Sequence, residues 1–193
     1  MRFSKLALVV KMGLAAVTLS VGFCAVNSAQ AADVKWDDIR GVSSPVGVKD
    51  NNDPELNTVG VGTGVTVPGR RPWSTKSGKA KIDLRNGRLE FEVRGLVLGG
   101  GAFTGTTPTP PPHMVQGRLV CDTNGSLPGG NSVLVDTPPV PLSPDGDAEF
   151  HGNVALPPAC SEPDIAFLII NAVEGPPSIF TIRWIAYGAV RKP

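Results

Sequence analysis

The stretch KIDLRNGRLEFEV, residues 81–93, sets Asn86-Gly87 between two arms in which apolar and charged residues alternate. Strict alternation is the period of a strand with one dry and one wet face, and Asn-Gly strongly favours a two-residue hairpin turn. A type I′ turn there predicts Leu84 opposite Leu89, Ile82 opposite Phe91 and Ala80 opposite Val93 on one face. Lys81, Asp83, Glu90 and Glu92 fall on the other, with Lys81 opposite Glu92. A slip of one residue would turn the whole apolar set toward water, so the side-chain phase is strongly specified. The charges read as the solvated face of a scaffold, not as a catalytic carboxylate pair.

The same period recurs along the chain. In GDAEFHGNVAL, Ala148, Phe150, Val154 and Leu156 alternate with Asp147, Glu149, His151 and Asn153. The unbroken run IAFLIIN suits a strand buried on both sides. Further strands are predicted at Met114–Cys121, at Val133–Val135 and over a long closing stretch from Ile179 to Val190. In that last strand Trp184 and Tyr187, three apart, are expected on opposite faces, so at most one of them is core. TVGVGTGVTVPG puts Val59, Val61, Val65 and Val67 on one strand face and Gly60, Gly62 and Gly64 on the other, which points to close approach by a backbone or an aromatic ring, or to a flexible edge. It is no phosphate loop, because no helix pattern and no Lys-Ser or Lys-Thr follows. No amphipathic helix is evident, and the 23 glycines and 19 prolines concentrate between apolar runs. These features predict an all-β fold, an antiparallel β-sandwich with a small closed β-barrel as the alternative.

The first eleven residues carry Arg2, Lys5 and Lys11 without an acid, then an uncharged apolar run from Met12 to Val26, then Ala29-Gln30-Ala31 as a small-residue cleavage site. The run is shorter than the roughly 20 residues a membrane-spanning helix needs. Residues 1–31 therefore read as a signal peptide of bacterial type, removed on export to the periplasm or the exterior, with no transmembrane segment after cleavage. A lipoprotein reading through Cys24 is weakened by Phe23, which stands where a small residue is wanted. Residues 32–57 are expected to form a loosely structured N-terminal segment, except for an opening strand around Val34 to Ile39 pinned by Trp36; residues 58–193 form the β domain. With Cys24 removed, Cys121 and Cys160 remain as a pair in an oxidising compartment, and a disulfide is predicted.

Positions that could carry chemistry are few. The mature chain holds only His113 and His151, which excludes a three-histidine metal site. Asp145, Asp147 and Glu149 lack the spacing of a calcium loop and are read as strand alternation, so neither a metal nor another cofactor is expected. The near-neutral charge offers nothing to nucleic acid. Arg70, Arg71 and Trp73 in PGRRPW could bind an anionic or carbohydrate ligand if the indole were exposed beside the guanidinium groups; otherwise the ring covers the end of the fold. The Gly- and Pro-rich loop 99–113 is the other candidate contact region. By elimination the expected function is that of a non-catalytic binding or structural module with an extracellular ligand or protein partner. Two alternatives stand beside it: a β-fold hydrolase or lyase using His151, favoured if a pocket encloses that residue, and a small barrel holding an apolar ligand. No known family's motif fits the chain.

Overall fold

A computed structural model describes residues 33–42, 59–64, 72–99, 104–107, 113–160, 164–172 and 184–192. Eleven strands follow one another: β1 (Asp33–Gly41), β2 (Trp73–Ser74), β3 (Ser77–Asp83), β4 (Arg88–Arg94), β5 (Val97–Leu98), β6 (His113–Cys121), β7 (Val133–Asp136), β8 (Val140–Leu142), β9 (Ala148–Asn153), β10 (Ile165–Ala172) and β11 (Trp184–Lys192). There is no α-helix among the described residues. Nine strands form one antiparallel sheet in the order β7-β6-β10-β11-β1-β3-β4-β9, with β8 sharing the β6 edge, and β2 pairs with β5 in a small second sheet. The fold is all-β and antiparallel, and its main sheet curls into a half-barrel.

The strand around Trp36 runs from Asp33 to Gly41 and lies between β11 and β3. The glycine-valine stretch departs from expectation. Its described part is not a strand but a short 3-10 turn at Gly62–Gly64, because Gly60 and Gly62 take positive φ (96° and 63°). What approaches these glycines is neither a backbone nor an aromatic ring but polar side chains: a Cβ on Gly60 would lie 2.7 Å from Ser132 Oγ, and the Asn131 side chain fills the space beside Gly62. Val65 and Val67 lie outside the described residues.

The hairpin keeps its side-chain phase and changes its register. Ile82 pairs with Leu89, Ala80 with Phe91 and Lys79 with Glu92, two residues away from the expected pairing. The turn is Leu84–Gly87, four residues long, because a type I′ turn needs positive φ at both central positions and only Gly87 has it (73°). Asp83 sets the longer turn. Its backbone oxygen accepts the Gly87 N–H at 2.8 Å, and its carboxylate accepts the Arg85 N–H at 2.9 Å. A shift of two preserves the dry face, so Ile82, Leu89, Phe91 and Val93 are all buried.

The inside of the curl is packed solid. Trp36, Phe167, Phe91 and Phe150 form a row of rings with centroids 5.6, 5.7 and 5.9 Å apart in turn. Gly117 in β6 makes room for it, since a Cβ there would stand 2.9 Å from Phe91 and 3.1 Å from Phe167. A second cluster lies on the other side of the sheet, where Val42, Val120, Leu168, Ile170 and Trp184 pack with Val59, Leu134 and Ala166. This is why β10 is apolar without alternation: Phe167 and Ile169 face the inner core, Leu168 and Ile170 the outer cluster. Trp184 and Tyr187 do not oppose each other as expected. A bulge where the β10–β11 register shifts between Ile169 and Ile170 brings both rings into edge-to-face contact at 5.7 Å, with Trp184 buried and Tyr187 exposed.

Each end of the curl is closed by chain from elsewhere. At one end the β2–β5 ribbon lies across the core, with Trp73, Leu96 and Leu98 buried. At the other, residues 154–160 cross from the end of β9 and are tied to the end of β6 by the Cys121–Cys160 disulfide, with Cα atoms 4.6 Å apart. Between β8 and β9 the ladder does not continue, although a tight turn joins them. Thr137 N donates to Gly117 O, which fixes the odd-numbered residues of β6 as those bonding toward β7 and β8. Val140 and Leu142 then bond to β6, and Pro141 between them, opposite Met114, directs its backbone away from β6. Pro141 has no N–H to give, so the outer side of β8 lacks a donor there.

Candidate functional site

The outer face over β1, β3, β4 and β9 is charged and open. The pairings align Lys35, Lys81, Glu90 and His151 in one row across four strands, and Asp37, Lys79, Glu92 and Glu149 in the next. A depression of about 300 Å³ lies among Lys35, Lys79, Lys81, Glu90, Glu92 and His151. Its walls are ion-paired side chains: Lys79 to Glu92 at 3.2 Å, Lys81 to Asp33 at 2.9 Å and Arg88 to Glu90 at 2.8 Å. Hydrogen bonds from Arg94 and then Lys79 hold the Glu92 carboxyl below the usual carboxylate range. Arg94 also reaches Asp147 at 3.4 Å and Glu149 at 3.7 Å. Two of the three alternating acids that resemble metal ligands in sequence, Asp147 and Glu149, thus share a guanidinium. Among the described residues no group of three His, Cys, Asp or Glu could hold a metal ion.

His151 sits on the outermost strand of this face, exposed, with Glu90 opposite it in β4. It lines the depression just described and a second hollow with Asn86, Arg88, Gly152 and Asn153, and among the described residues no hydrogen bond orients its ring.

The end capped by the β2–β5 ribbon brings together the two loops singled out in the sequence. Gly99 N donates to Pro72 O at 2.8 Å, Leu98 N to Thr106 O at 2.8 Å and Gly105 N to Leu98 O at 2.8 Å. Trp73 N donates to Val42 O at 2.7 Å, which anchors the ribbon to the chain leaving β1. The Trp73 indole is only 6% exposed and stacks on His113 with centroids 6.1 Å apart. His113 Nε2 in turn donates to Asn171 Oδ1 at 3.1 Å. The indole is therefore the floor of this end and offers no open aromatic platform. Arg70 and Arg71 lie outside the described residues, as does much of the 99–113 loop. Sequence reasoning did not find the stacked partnership of Trp73, His113 and Asn171. The three are far apart in the chain, and nothing in their local pattern links them.

Comparison with protein-family models, with curated proteins and with solved structures finds no match.

Proposed function

We propose that the chain is an exported, non-catalytic binding or structural module of the bacterial envelope or exterior, with its ligand contacts at the end capped by the β2–β5 ribbon. One observation carries this reading. Residues 72–74, 97–99 and 105–106 are hydrogen-bonded into one surface at a single end of the curl. Lys76, beside the ribbon, is exposed, and Arg70 and Arg71 stand immediately before Pro72 in the sequence, outside the described residues. Cations at these positions suit an anionic ligand, a sulfated or carboxylated glycan being one class. Two features support a non-catalytic role over the alternatives. His151 lies on a charged sheet face with no hydrogen-bond partner among the described residues, and the interior is filled by Trp36, Phe91, Phe150 and Phe167 where an apolar ligand would need space. The buried Cys121–Cys160 disulfide fits an oxidising compartment.

The test is surface plasmon resonance of the mature chain against a sulfated oligosaccharide and its desulfated counterpart. Binding to the sulfated probe alone, lost in the Arg70→Ala/Arg71→Ala double variant with the melting temperature unchanged, is the expected result. Equal binding by the double variant, or none by the parent chain, defeats the reading. Trp73→Ala is unsuitable, because removing a buried indole costs about 3–5 kcal/mol of stability whatever the ligand does.

A further inference from the structure

Two Asn-Gly steps lie in turns, Asn86-Gly87 between β3 and β4 and Asn124-Gly125 after β6; both asparagines are exposed, while Gly87 is buried and Gly125 half-buried. Asn-Gly is the dipeptide most prone to spontaneous cyclisation, because glycine puts no side chain in the way when its nitrogen attacks the preceding carboxamide carbon. Both steps are restrained by the same set of three contacts. The glycine N–H is donated to an earlier aspartate carbonyl: Gly87 to Asp83 O at 2.8 Å, Gly125 to Asp122 O at 3.0 Å. The carboxamide Nδ2 is donated to a carboxylate: Asn86 to Asp83 Oδ2 at 2.9 Å, Asn124 to Asp164 Oδ2 at 2.9 Å. The carboxamide Oδ1 accepts the N–H two residues on, from Arg88 and from Ser126, each at 2.9 Å.

We propose that Asn86 and Asn124 are sites of spontaneous deamidation gated by these clamps, each reacting only when its own turn opens. In the reaction the glycine nitrogen loses its proton and bonds to the asparagine Cγ, and the Cγ–Nδ2 bond breaks as ammonia leaves with a proton. Water then opens the cyclic imide at either carbonyl, giving aspartate or isoaspartate. Every contact in the clamp opposes the first step. The glycine proton is held by a carbonyl, the carboxamide is fixed at both ends, and the adjacent carboxylate disfavours the negative charge that builds during attack. The product cannot restore the clamp, since it places a new carboxylate where Nδ2 donated to Asp83 or Asp164.

The measurement is site-resolved peptide mass spectrometry on the mature chain held at mildly alkaline pH, with and without urea. Both sites are expected to react at least about tenfold more slowly in the folded protein, as follows when only a minor open state is competent. Asp83→Ala should speed conversion at Asn86 and leave Asn124 unchanged, and Asp164→Ala should do the reverse. Each asparagine is thus the other's control for global unfolding. Equal rates with and without urea overturn the proposal, as does a variant that speeds both sites together or neither.

Discussion

The two halves of the sheet's outer face solve the same problem in opposite ways. Over β6, β10 and β11 the face is apolar and covered, with Val120, Leu168, Ile170 and Trp184 packed under Val42 and Val59. Among the described residues its one ion pair is Arg118 with Asp136, two hydrogen bonds of 2.6 Å from an arginine that is 5% exposed. Over β1, β3, β4 and β9 the face is charged and wet, and its ion pairs lie between side chains that stay in solvent. A covered pair is costly to break because a charge is left without water or partner; an open pair is replaced by water at little loss. Stability should therefore reside in the first half, and surface electrostatics in the second.

The Cys121–Cys160 bond ties the halves together, since residues 154–160 leave β9 in the open half and are held to β6 in the covered half. Cys121→Ser/Cys160→Ser should lower stability by about 4 kcal/mol, the chain-entropy value for a loop with the observed separation of 39 residues. Hydrogen exchange should show the loss first in β9 and β4, with β6 and β10 still protected. Uniform loss of protection across both halves would mean that they do not differ in local stability.

The ion pairs themselves give the next contrast. Arg118→Ala should cost about 3 kcal/mol, at the lower end for a buried pair because Asp136 keeps a third of its side chain exposed. Lys79→Ala, which removes a pair of similar chemistry on the open face, should cost no more than about 0.5 kcal/mol. Urea denaturation of the two variants decides the matter. Comparable losses would show that the cover over the first half does not shield Arg118 from water. The double change Arg118→Met/Asp136→Leu should recover most of the loss, since what the single change leaves behind is an unpaired carboxylate rather than a missing attraction.

How far this division was legible in the sequence depends on whether its cause is local. The dry and wet faces of β3 and β4 follow from a period of two, and that phase survives in the structure even though the register moves by two residues. The register itself was hidden, because it is set by the hydrogen bonds Asp83 makes around the turn and not by the Asn-Gly pair alone. The unbroken apolar run of β10 announced burial on both sides. What covers its outer side was not readable, since Val42, Val59 and Leu134 come from three distant segments. Likewise Asp147 and Glu149 were legible as a wet face, but their shared partner Arg94 lies more than fifty residues earlier. The ribbon at the capped end, with Trp73 against His113, is a meeting of segments whose local composition says only loop. Arg70 and Arg71 lie outside the described residues, so the sequence alone still carries that part of the candidate site.

The smallest expected effect separates charge from hydrogen bonding as the way each region holds a carboxylate ionised. Glu92 on the open face is held low by Arg94 and Lys79. Asp122, at the end of β6, is pushed up by burial, but the Leu127 N–H and the Ser126 hydroxyl and N–H at 2.8–3.0 Å outweigh this and leave it below the usual range. Both carboxyls are depressed on folding, so each adds stability above the unfolded carboxylate value and loses it as pH falls through the lower folded value. Salt should tell them apart. Raising ionic strength from about 0.1 M to about 1 M shortens the screening length from roughly 10 Å to roughly 3 Å. The exposed guanidinium and ammonium charges at Glu92 are then weakened, whereas N–H donors in van der Waals contact with a buried oxygen are not. Carbon-detected titration of the carboxyl groups should show Glu92 moving up toward its ordinary range in high salt and Asp122 staying in place. Equal movement of the two would mean that Asp122 is also governed by solvent-screened charge, and the contrast between an open and a covered half would not extend to its loop.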